Sequence, residues 1–461
     1  MRRRVFGALA GMVVALSLAA PTAADAAPAP AEARYVVMLA NTVTDPARAA
    51  ADQARRYGSL PQAVYGSLNG YAAAMSPAEA AALASDPAVQ YVAQDRVVRA
   101  DDRRAAPMPC QPEGPAAAQC LPENIDRIDG EASSTRSGDG RGSVDVNIAV
   151  LDGGVDGTHP DLNVAGGVDC TTGSPVVAPS ALVDVNGHGT FVAGVAAARD
   201  NGSGVVGVAP GAPIWSVKVF DDAGTATEAS IDCGIDWVTS TRLDRDEHND
   251  IAVANLSFEG YGRGDDQRCG LDDLDPMHTA ICRSVAQGTM YVAAAGNDRA
   301  DLAGVVPAGY DEVLTATAIS DFDGRPGGQA APICYGLDVS AQGARDDQPA
   351  PYSNYATQVR DQLHTVAASG SCVTSTTPLS FGSGYGVGDG TSFAAPAVAG
   401  TAALCIDSGR CPDGNPLVTG ARLQADAAAY DQSEPEYGYL GDPLRPSGGR
   451  YYGYLVNAAM Y

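Results

Sequence analysis

Four polar side chains stand far apart in the sequence, each framed by glycine or small residues, and together they could run acyl transfer from an activated hydroxyl. The hydroxyl lies in Asp389-Gly390-Thr391-Ser392-Phe393-Ala394-Ala395-Pro396, where glycine precedes a serine and a small apolar run, Ala394 to Leu404, reads as a helix. Unpaired N–H groups and the dipole at a helix N-terminus favour developing negative charge, which suits a nucleophile. Taken alone, Thr391 or Ser392 would more simply cap the helix. Asn186-Gly187-His188-Gly189-Thr190 sets an imidazole between two glycines at the start of another apolar helix. A lone histidine is more often structural, but the chain has only 5, and flanking glycines leave room for a substrate. Val150-Leu151-Asp152-Gly153-Gly154 places a carboxylate straight after an apolar run, which by itself is a common Asp-Gly turn. Ala294-Ala295-Gly296-Asn297-Asp298 ends a further apolar run with an amide, whose plainer use is a left-handed turn. Each motif is weak. In the order Asp152, His188, Asn297, Ser392 they become specific, because Asp, then His, then Ser is a chain order used by serine triads.

The elements that must position these groups are legible from Cys110 onward. Short apolar runs occur at Val146 to Leu151, Ile214 to Phe220, Ile251 to Leu256, Met290 to Ala294, Val313 to Ile319 and Leu363 to Ala367. Helical patterns lie between several of them, at His188 to Arg199, Thr227 to Thr241 and Pro276 to Gln287. Apolar strands alternating with helices predict an α/β fold with a parallel sheet buried on both faces. Active sites of such sheets lie beyond the carboxyl ends of the strands, where three of the motifs fall. Residues 27–104 read as a separate small unit. A strand at Tyr35 to Leu39, a helix opened by Asp45-Pro46, β-like segments within Ala63 to Met75, a capping box at Ser76-Pro77-Ala78-Glu79 and a last strand ending near Val98 give β-α-β-β-α-β, a ferredoxin-like order. Arg99 to Pro109 reads as an exposed linker open to proteolysis.

With 461 residues, 45% hydrophobic and 18% charged, the chain can build more than one core. A net charge of -26 argues against a nucleic-acid binder, which needs a basic patch. Lys218 is the only lysine. Arg2-Arg3-Arg4, the apolar run Val5 to Ala20 and Ala24-Asp25-Ala26 read as a secretory signal over residues 1–26. The expected product is therefore secreted and extracellular, with no membrane association once the signal is removed. Its 10 cysteines then imply disulfides. Cys110/Cys120, Cys269/Cys282 and Cys405/Cys411 are the nearest pairs, leaving Cys170/Cys233 and Cys334/Cys372, although spacing does not fix the pairing. No C-x-x-C occurs, so zinc ligation is disfavoured.

The sequence resembles the subtilisin-like serine proteases. The matching stretches are Ala149 to Asp152 with Thr158 to Leu162, Asn186 to Gly194, Asn255-Leu256-Ser257, Ala293 to Asn297, Ser353-Asn354-Tyr355 and Gly390 to Gly400, and residues 35–98 resemble, more loosely, the family's inhibitory propeptides. The resemblance implies Ser392 as nucleophile, His188 as general base, Asp152 as its orienting carboxylate and Asn297 as oxyanion donor. It also implies Ser257, Phe258, Glu259, Gly260, Ala295 and Gly296 as substrate-binding residues. The domain plan becomes signal 1–26, inhibitory propeptide and linker 27–104, and peptidase domain 105–461. The expected protein is a monomeric endopeptidase acting on polypeptides, with its own propeptide as intramolecular inhibitor.

Several positions depart from the family pattern: Gly153 after the aspartate, Phe191 after His188-Gly189-Thr190, Ser369 before Gly370, Phe393 after the serine and Ala397 after Pro396. Glu259 stands where the family has glycine. A carboxylate there would narrow the specificity pocket or favour a basic side chain, unless it is only a solvated glutamate at a strand end. The resemblance implies no cofactor for catalysis. Calcium is common in the family, but Asp265-Asp266, Asp272-Asp273-Leu274-Asp275 and Asp321-Phe322-Asp323-Gly324 lack EF-hand spacing, so no metal ligand is assigned. A narrow processing protease, and a catalytically inactive relative serving as a binding module, are the other readings. An α/β-hydrolase lacks support because no G-x-S-x-G elbow occurs.

Overall fold

A computed structural model describes residues 32–99, 119–332, 334 and 343–461. The signal segment 1–26, the linker beyond Arg99 and Cys110, with its pairing to Cys120, lie outside the described residues.

The main sheet is nine-stranded, and its path runs Tyr454–Leu455, Thr365–Ser369, Val313–Ser320, Met290–Ala294, Ile251–Leu256, Asn147–Asp152, Ile214–Lys218, Val164–Asp169. Neighbours on this path are parallel. Gln348–Pro349 pairs antiparallel with Val313–Ser320. Side chains alternate across the strands, as period two demands. Ile148 and Val150 join one core, with the helices His188–Ala197 and Thr391–Asp407. Ala149 and Leu151 join the other, with the helices Glu228–Thr241 and Pro276–Val285. Both faces are covered, which explains the near-continuous apolar strands. From Asn147–Asp152 the chain first builds the sheet to one side and then, with Ile251–Leu256, to the other. That reversal places a crevice at the carboxyl end of Asn147–Asp152.

Several elements escaped the sequence pattern, among them the strand Val164–Asp169 and the helix Pro416–Ser433. Val164–Asp169 is interrupted by Gly166 and Gly167. Both glycines are required by close approach: a Cβ would lie 2.7 Å from the Trp215 ring at Gly166 and 2.3 Å from Ser216 O at Gly167. The helix Pro416–Ser433 buries only five residues and carries little apolar signal. The strand expected at Leu363 to Ala367 is shifted to Thr365–Ser369, and Leu363 is exposed.

Residues 33–94 form a four-stranded antiparallel sheet ordered Leu60–Tyr65, Gly70–Met75, Ala33–Leu39, Val89–Gln94, the expected ferredoxin-like arrangement. Its helix caps are those expected. Asp45 accepts from Arg48 N at 2.9 Å, and Ser76 with Glu79 closes a reciprocal capping box. The sheet rests on the helices Glu228–Thr241 and Pro276–Val285. Asp236 accepts from Ser67 N and Leu68 N at 2.7 and 2.9 Å, Asp95 accepts from Ala229 N at 2.9 Å, and Arg96 pairs with Glu228 at 2.7 Å.

Among the described residues, four disulfides join Cys170–Cys233, Cys269–Cys282, Cys334–Cys372 and Cys405–Cys411. The first spans 63 residues, a loop whose closure is worth about 4 kcal/mol in the chain-entropy picture.

A buried ion cluster lies where the helix Pro276–Val285 meets the segment just before the strand Val313–Ser320. His278 stacks on Tyr310 with ring centroids 4.2 Å apart, and its Nε2 lies 3.0 Å from Glu312 and 3.3 Å from Asp265. Burial opposes the charge, but the hydrogen bonds to the two carboxylates win and raise the imidazole to about 9. A folded-state value above the unfolded one of about 6.5 means that its contribution to stability is full below pH 6.5 and is lost as pH rises through 9. In an inactive Ser392→Ala background the melting temperature is expected to fall between pH 7 and 9.5, and the His278→Gln variant should fall less. Parallel curves would remove His278 as the cause.

Candidate active site

Asp152 is the last residue of its strand, and His188 opens the next α-helix, beyond the strand Val164–Asp169. The two are joined by a 2.7 Å bond between His188 Nδ1 and Asp152 Oδ2. Asp152 Oδ1 accepts from Gly153 N at 2.7 Å, which fixes the carboxylate. Because a carboxylate only accepts, Nδ1 carries the proton. His188 and Asp152 are 0% and 2% exposed.

Ser392 lies inside the first turn of the helix Thr391–Asp407, and Gly390 is the flanking residue, with no side-chain cap. The capping role open to Thr391 or Ser392 is therefore not used. Instead the Ser392 hydroxyl donates to Ser257 O at 3.1 Å, and Ser257 Oγ donates to Ser392 O at 2.7 Å. This reciprocal pair ties the serine to the end of the strand Ile251–Leu256.

Asn297 follows the strand Met290–Ala294. Its amide oxygen accepts from Thr391 N at 2.9 Å and from Thr391 Oγ1 at 3.2 Å, so its NH₂ points elsewhere. The left-handed residue is Gly296, with φ 100°, rather than Asn297. A point one bond off the Gly390 backbone, where a Cβ would stand, lies 3.7 Å from Ser392 N and 3.9 Å from Asn297 Nδ2. The Ser392 N–H and the Asn297 amide, whose Oδ1 lies 3.8 Å from the same point, thus both border one small space beside the serine.

The substrate-binding candidates separate on inspection. Ser257 and Gly296 border the serine and Asn297. Phe258 is turned into the core, 2% exposed, with its ring 5.3 Å from Phe220. Ala295 packs into a small cluster with Leu302, Val305 and Ala308. Both therefore offer backbone rather than side chain. Gly260 pairs with Val306 in a short antiparallel ladder. Glu259 is not a solvated strand end. It lies beyond the strand, partly buried, and its Oε1 accepts from Asn297 N at 3.1 Å.

Two departures from the family pattern answer each other. The Phe191 and Phe393 rings lie 4.3 Å apart, and Phe393 is 5.6 Å from the His188 ring, so the pair fills the space behind the imidazole.

Three residues were missed. Asp184 accepts from Gly187 N, Thr190 N and Thr190 Oγ1 at 2.6, 2.8 and 2.6 Å, holding the first turn of the histidine helix. Burial pushes its carboxyl up. Lys218 donates to Gly153 O at 2.8 Å and pins the loop after Asp152. Thr391 Oγ1 accepts from Gly296 N at 3.0 Å. An Asp two residues ahead of Asn-Gly was the signal available for the first, and the lone lysine for the second.

The acidic clusters are largely accounted for by protein partners. Asp265 pairs with His278, Asp266 accepts backbone N–H groups, and Asp272 and Asp273 pair with Arg268 and Arg263. Asp321, Asp323 and Asp346 bring oxygens within 4.8 Å of one another. The fully buried Arg127 lies 3.2 Å from Asp321 and supplies positive charge that competes with a cation at this donor set.

A family model described as the subtilase family matches residues 143–439, and one described as peptidase inhibitor I9 matches residues 29–101. The chain is 32% identical over 333 residues to an alkaline protease of Alkalihalobacillus alcalophilus, covering 72% of this chain and 67% of that protein. It is 28% identical over 412 residues to subtilisin amylosacchariticus of Bacillus subtilis subsp. amylosacchariticus, 89% and 87% of the two chains. It is 33% identical over 290 residues to subtilisin Savinase of Lederbergia lenta, 62% and 84%.

Proposed function

The chain belongs to the subtilase family, as a subtilisin-like serine protease with an I9 propeptide, and from that premise we propose that Asp152, His188 and Ser392 act as one catalytic unit with Asn297. Ser392 Oγ attacks the carbonyl carbon of a peptide bond, and its proton passes to His188 Nε2. The resulting oxyanion is held by the Asn297 amide and the Ser392 backbone N–H. On collapse the C–N bond breaks, His188 returns the proton to the leaving amine, and an acyl-enzyme remains for water to hydrolyse. Asp152 keeps Nδ1 protonated and stabilises the imidazolium. The chemistry needs no cofactor. In the resting arrangement the serine hydroxyl faces Ser257 O, so one bond rotation must turn it to the imidazole when substrate arrives.

The observation that carries this reading is the buried Asp152–His188 bond beside a serine whose N–H and the Asn297 amide border one space. A serine-directed fluorophosphonate tests it. The label should attach to the peptide containing Ser392, with loss of peptide hydrolysis. A folded mature protein that takes no label and cleaves nothing would restore the inactive binding module, which nothing in the site supports.

The precursor reading has the same footing. Val97–Arg99 pairs antiparallel with Thr225–Thr227, and Val98 is buried with Phe258 and Val306. The last strand before the linker thus adds to the protein edge near the substrate-binding segment, as an extended peptide would. We take residues 27–104 as an inhibitory segment removed on maturation, 105–461 as the secreted peptidase and 1–26 as its signal. The disulfides favour an oxidising, extracellular setting.

Asn297→Ala is expected to lower kcat by roughly 10²–10³ with KM little changed, a range taken from a member of this family rather than derived from this site. Steady-state kinetics on one peptide substrate check it, and a fall of less than about threefold would remove Asn297 from that role.

A further inference from the structure

We propose that Glu228 and Asp275 form a subsite for arginine in the polypeptides this protease cuts, at the point where Arg96 lies in the precursor; the proposal rests on the protease and precursor readings above.

The propeptide shows how a chain lies there. Val97, Val98 and Arg99 pair antiparallel with Thr227, Ala226 and Thr225. Glu228 N donates to Arg96 O at 2.8 Å, which carries the ladder one residue further. Side chains alternate along such a strand. Val97 is exposed, while Val98 is turned to the protein and joins one core with Phe258 and Val306. Arg96 shares the face of Val98. Its Nε and Nη2 donate to Glu228 Oε2 and Oε1 at 3.1 and 2.7 Å, a forked pair, and Nη2 also lies 3.1 Å from Asp275 Oδ1. Glu228 and Asp275 are 1% and 5% exposed. A cavity bordered by Glu228, Ile231, Met277 and Val306 opens at Arg96 and Val98.

Both carboxylates are held by the peptidase itself. Glu228 opens one helix and Asp275 caps the next. Glu228 Oε1 also accepts from Met277 N at 3.4 Å. Asp275 Oδ1 accepts from His278 N at 3.2 Å, and its Oδ2 accepts from the Tyr310 hydroxyl at 3.0 Å. Removal of residues 27–104 thus takes away the guanidinium and leaves its cradle. Two like charges then converge on one point, which is costly without a cation between them. Burial lifts the Glu228 carboxyl above its ordinary value against the pull of Arg96, and Asp275 adds to the rise. A substrate strand added to Thr225–Thr227 in the same register brings one side chain to this point. Arginine restores the fork, lysine restores only a point charge, and an apolar side chain leaves both carboxylates without a partner. The competing outcome is a clasp that serves only to hold the propeptide.

The test uses the mature enzyme and peptides copying residues 93–108, with arginine, citrulline, lysine or leucine at position 96. Citrulline keeps the shape of arginine without its charge. Enzyme concentration is fixed by fluorophosphonate titration, so that unfolded protein does not count, and mass spectrometry reads the products cut beyond Arg99. The Arg96 side chain is 41% exposed, so the expected kcat/KM for arginine exceeds that for citrulline by roughly tenfold, the low end for a hydrogen bond to a charged group. Lysine should fall between, and leucine should do no better than citrulline. Glu228→Gln keeps the shape of the side chain and should narrow the gap between arginine and citrulline to less than about threefold. Equal rates for arginine and citrulline in an enzyme that labels normally would overturn the proposal and leave the protease reading standing. So would a preference that survives Glu228→Gln in full. Cutting that never falls beyond Arg99 would overturn it too, because the segment would then not lie along Thr225–Thr227 as a substrate. No label and no hydrolysis would overturn both readings.

Discussion

Ser392→Ala is expected to leave the full-length chain uncleaved and to lower peptide hydrolysis by roughly 10⁶ in kcat, a figure drawn from a member of the same family and not from this geometry. The neighbouring hydroxyls cannot substitute. Thr391 Oγ1 is tied to Gly296 N and Asn297 Oδ1, and Ser257 Oγ is spent on Ser392 O. The variant should fold. It loses one hydrogen bond, to Ser257 O, at a cost of about 1 kcal/mol, and alanine suits a helix. Mass spectrometry of the purified precursor gives the result directly: intact for the variant, shortened in the region of residue 104 for wild type. Cleavage of the variant at the same site, in a protease-free preparation, would mean that another enzyme matures this chain.

Asp152→Asn should cost about 10⁴ in kcat with the fold unchanged. The reason is a conflict of donors. In the wild type Oδ1 accepts from Gly153 N and Oδ2 faces His188 Nδ1. Asparagine can keep only one of these as an oxygen. If its oxygen keeps the Gly153 N–H, its NH₂ faces Nδ1 and forces the imidazole into the tautomer with the proton on Nε2. That tautomer cannot take the serine proton. Raising the pH does not restore it, so the loss should persist across the alkaline range. A variant within about tenfold of wild type at neutral pH would show that Asp152 does not set the tautomer.

The site was legible in the sequence to different depths. Asp152, His188 and Asn297 each follow or open a buried element with glycine beside them, and such strand-helix junctions are signalled by composition alone. Glu259 was visible as an oddity but not as a bridge, because nothing in Ser257-Phe258-Glu259-Gly260 says which way the carboxylate turns. Phe191 and Phe393 looked like two separate departures, and only their 4.3 Å ring contact makes them one. Val164–Asp169 was lost because its glycines answer to Trp215 and Ser216 on the adjacent strand, not to any local turn.

The sequence by itself determined what is local: the period-two and helical patterns, the caps at Asp45 and Ser76, the alternation that demands a sheet covered on both faces, and the set of polar groups at the strand ends. Tertiary structure alone decided which ends become neighbours. Parallel strands are joined by crossovers, so adjacency in the sheet is set by packing of whole helices and not by spacing along the chain. That packing brings His188 to Asp152 across 36 residues, and Thr391, next to the serine, to Asn297 across 94. It also turns the Glu259 carboxylate onto the Asn297 N–H, a partner that exists only once two strands lie side by side.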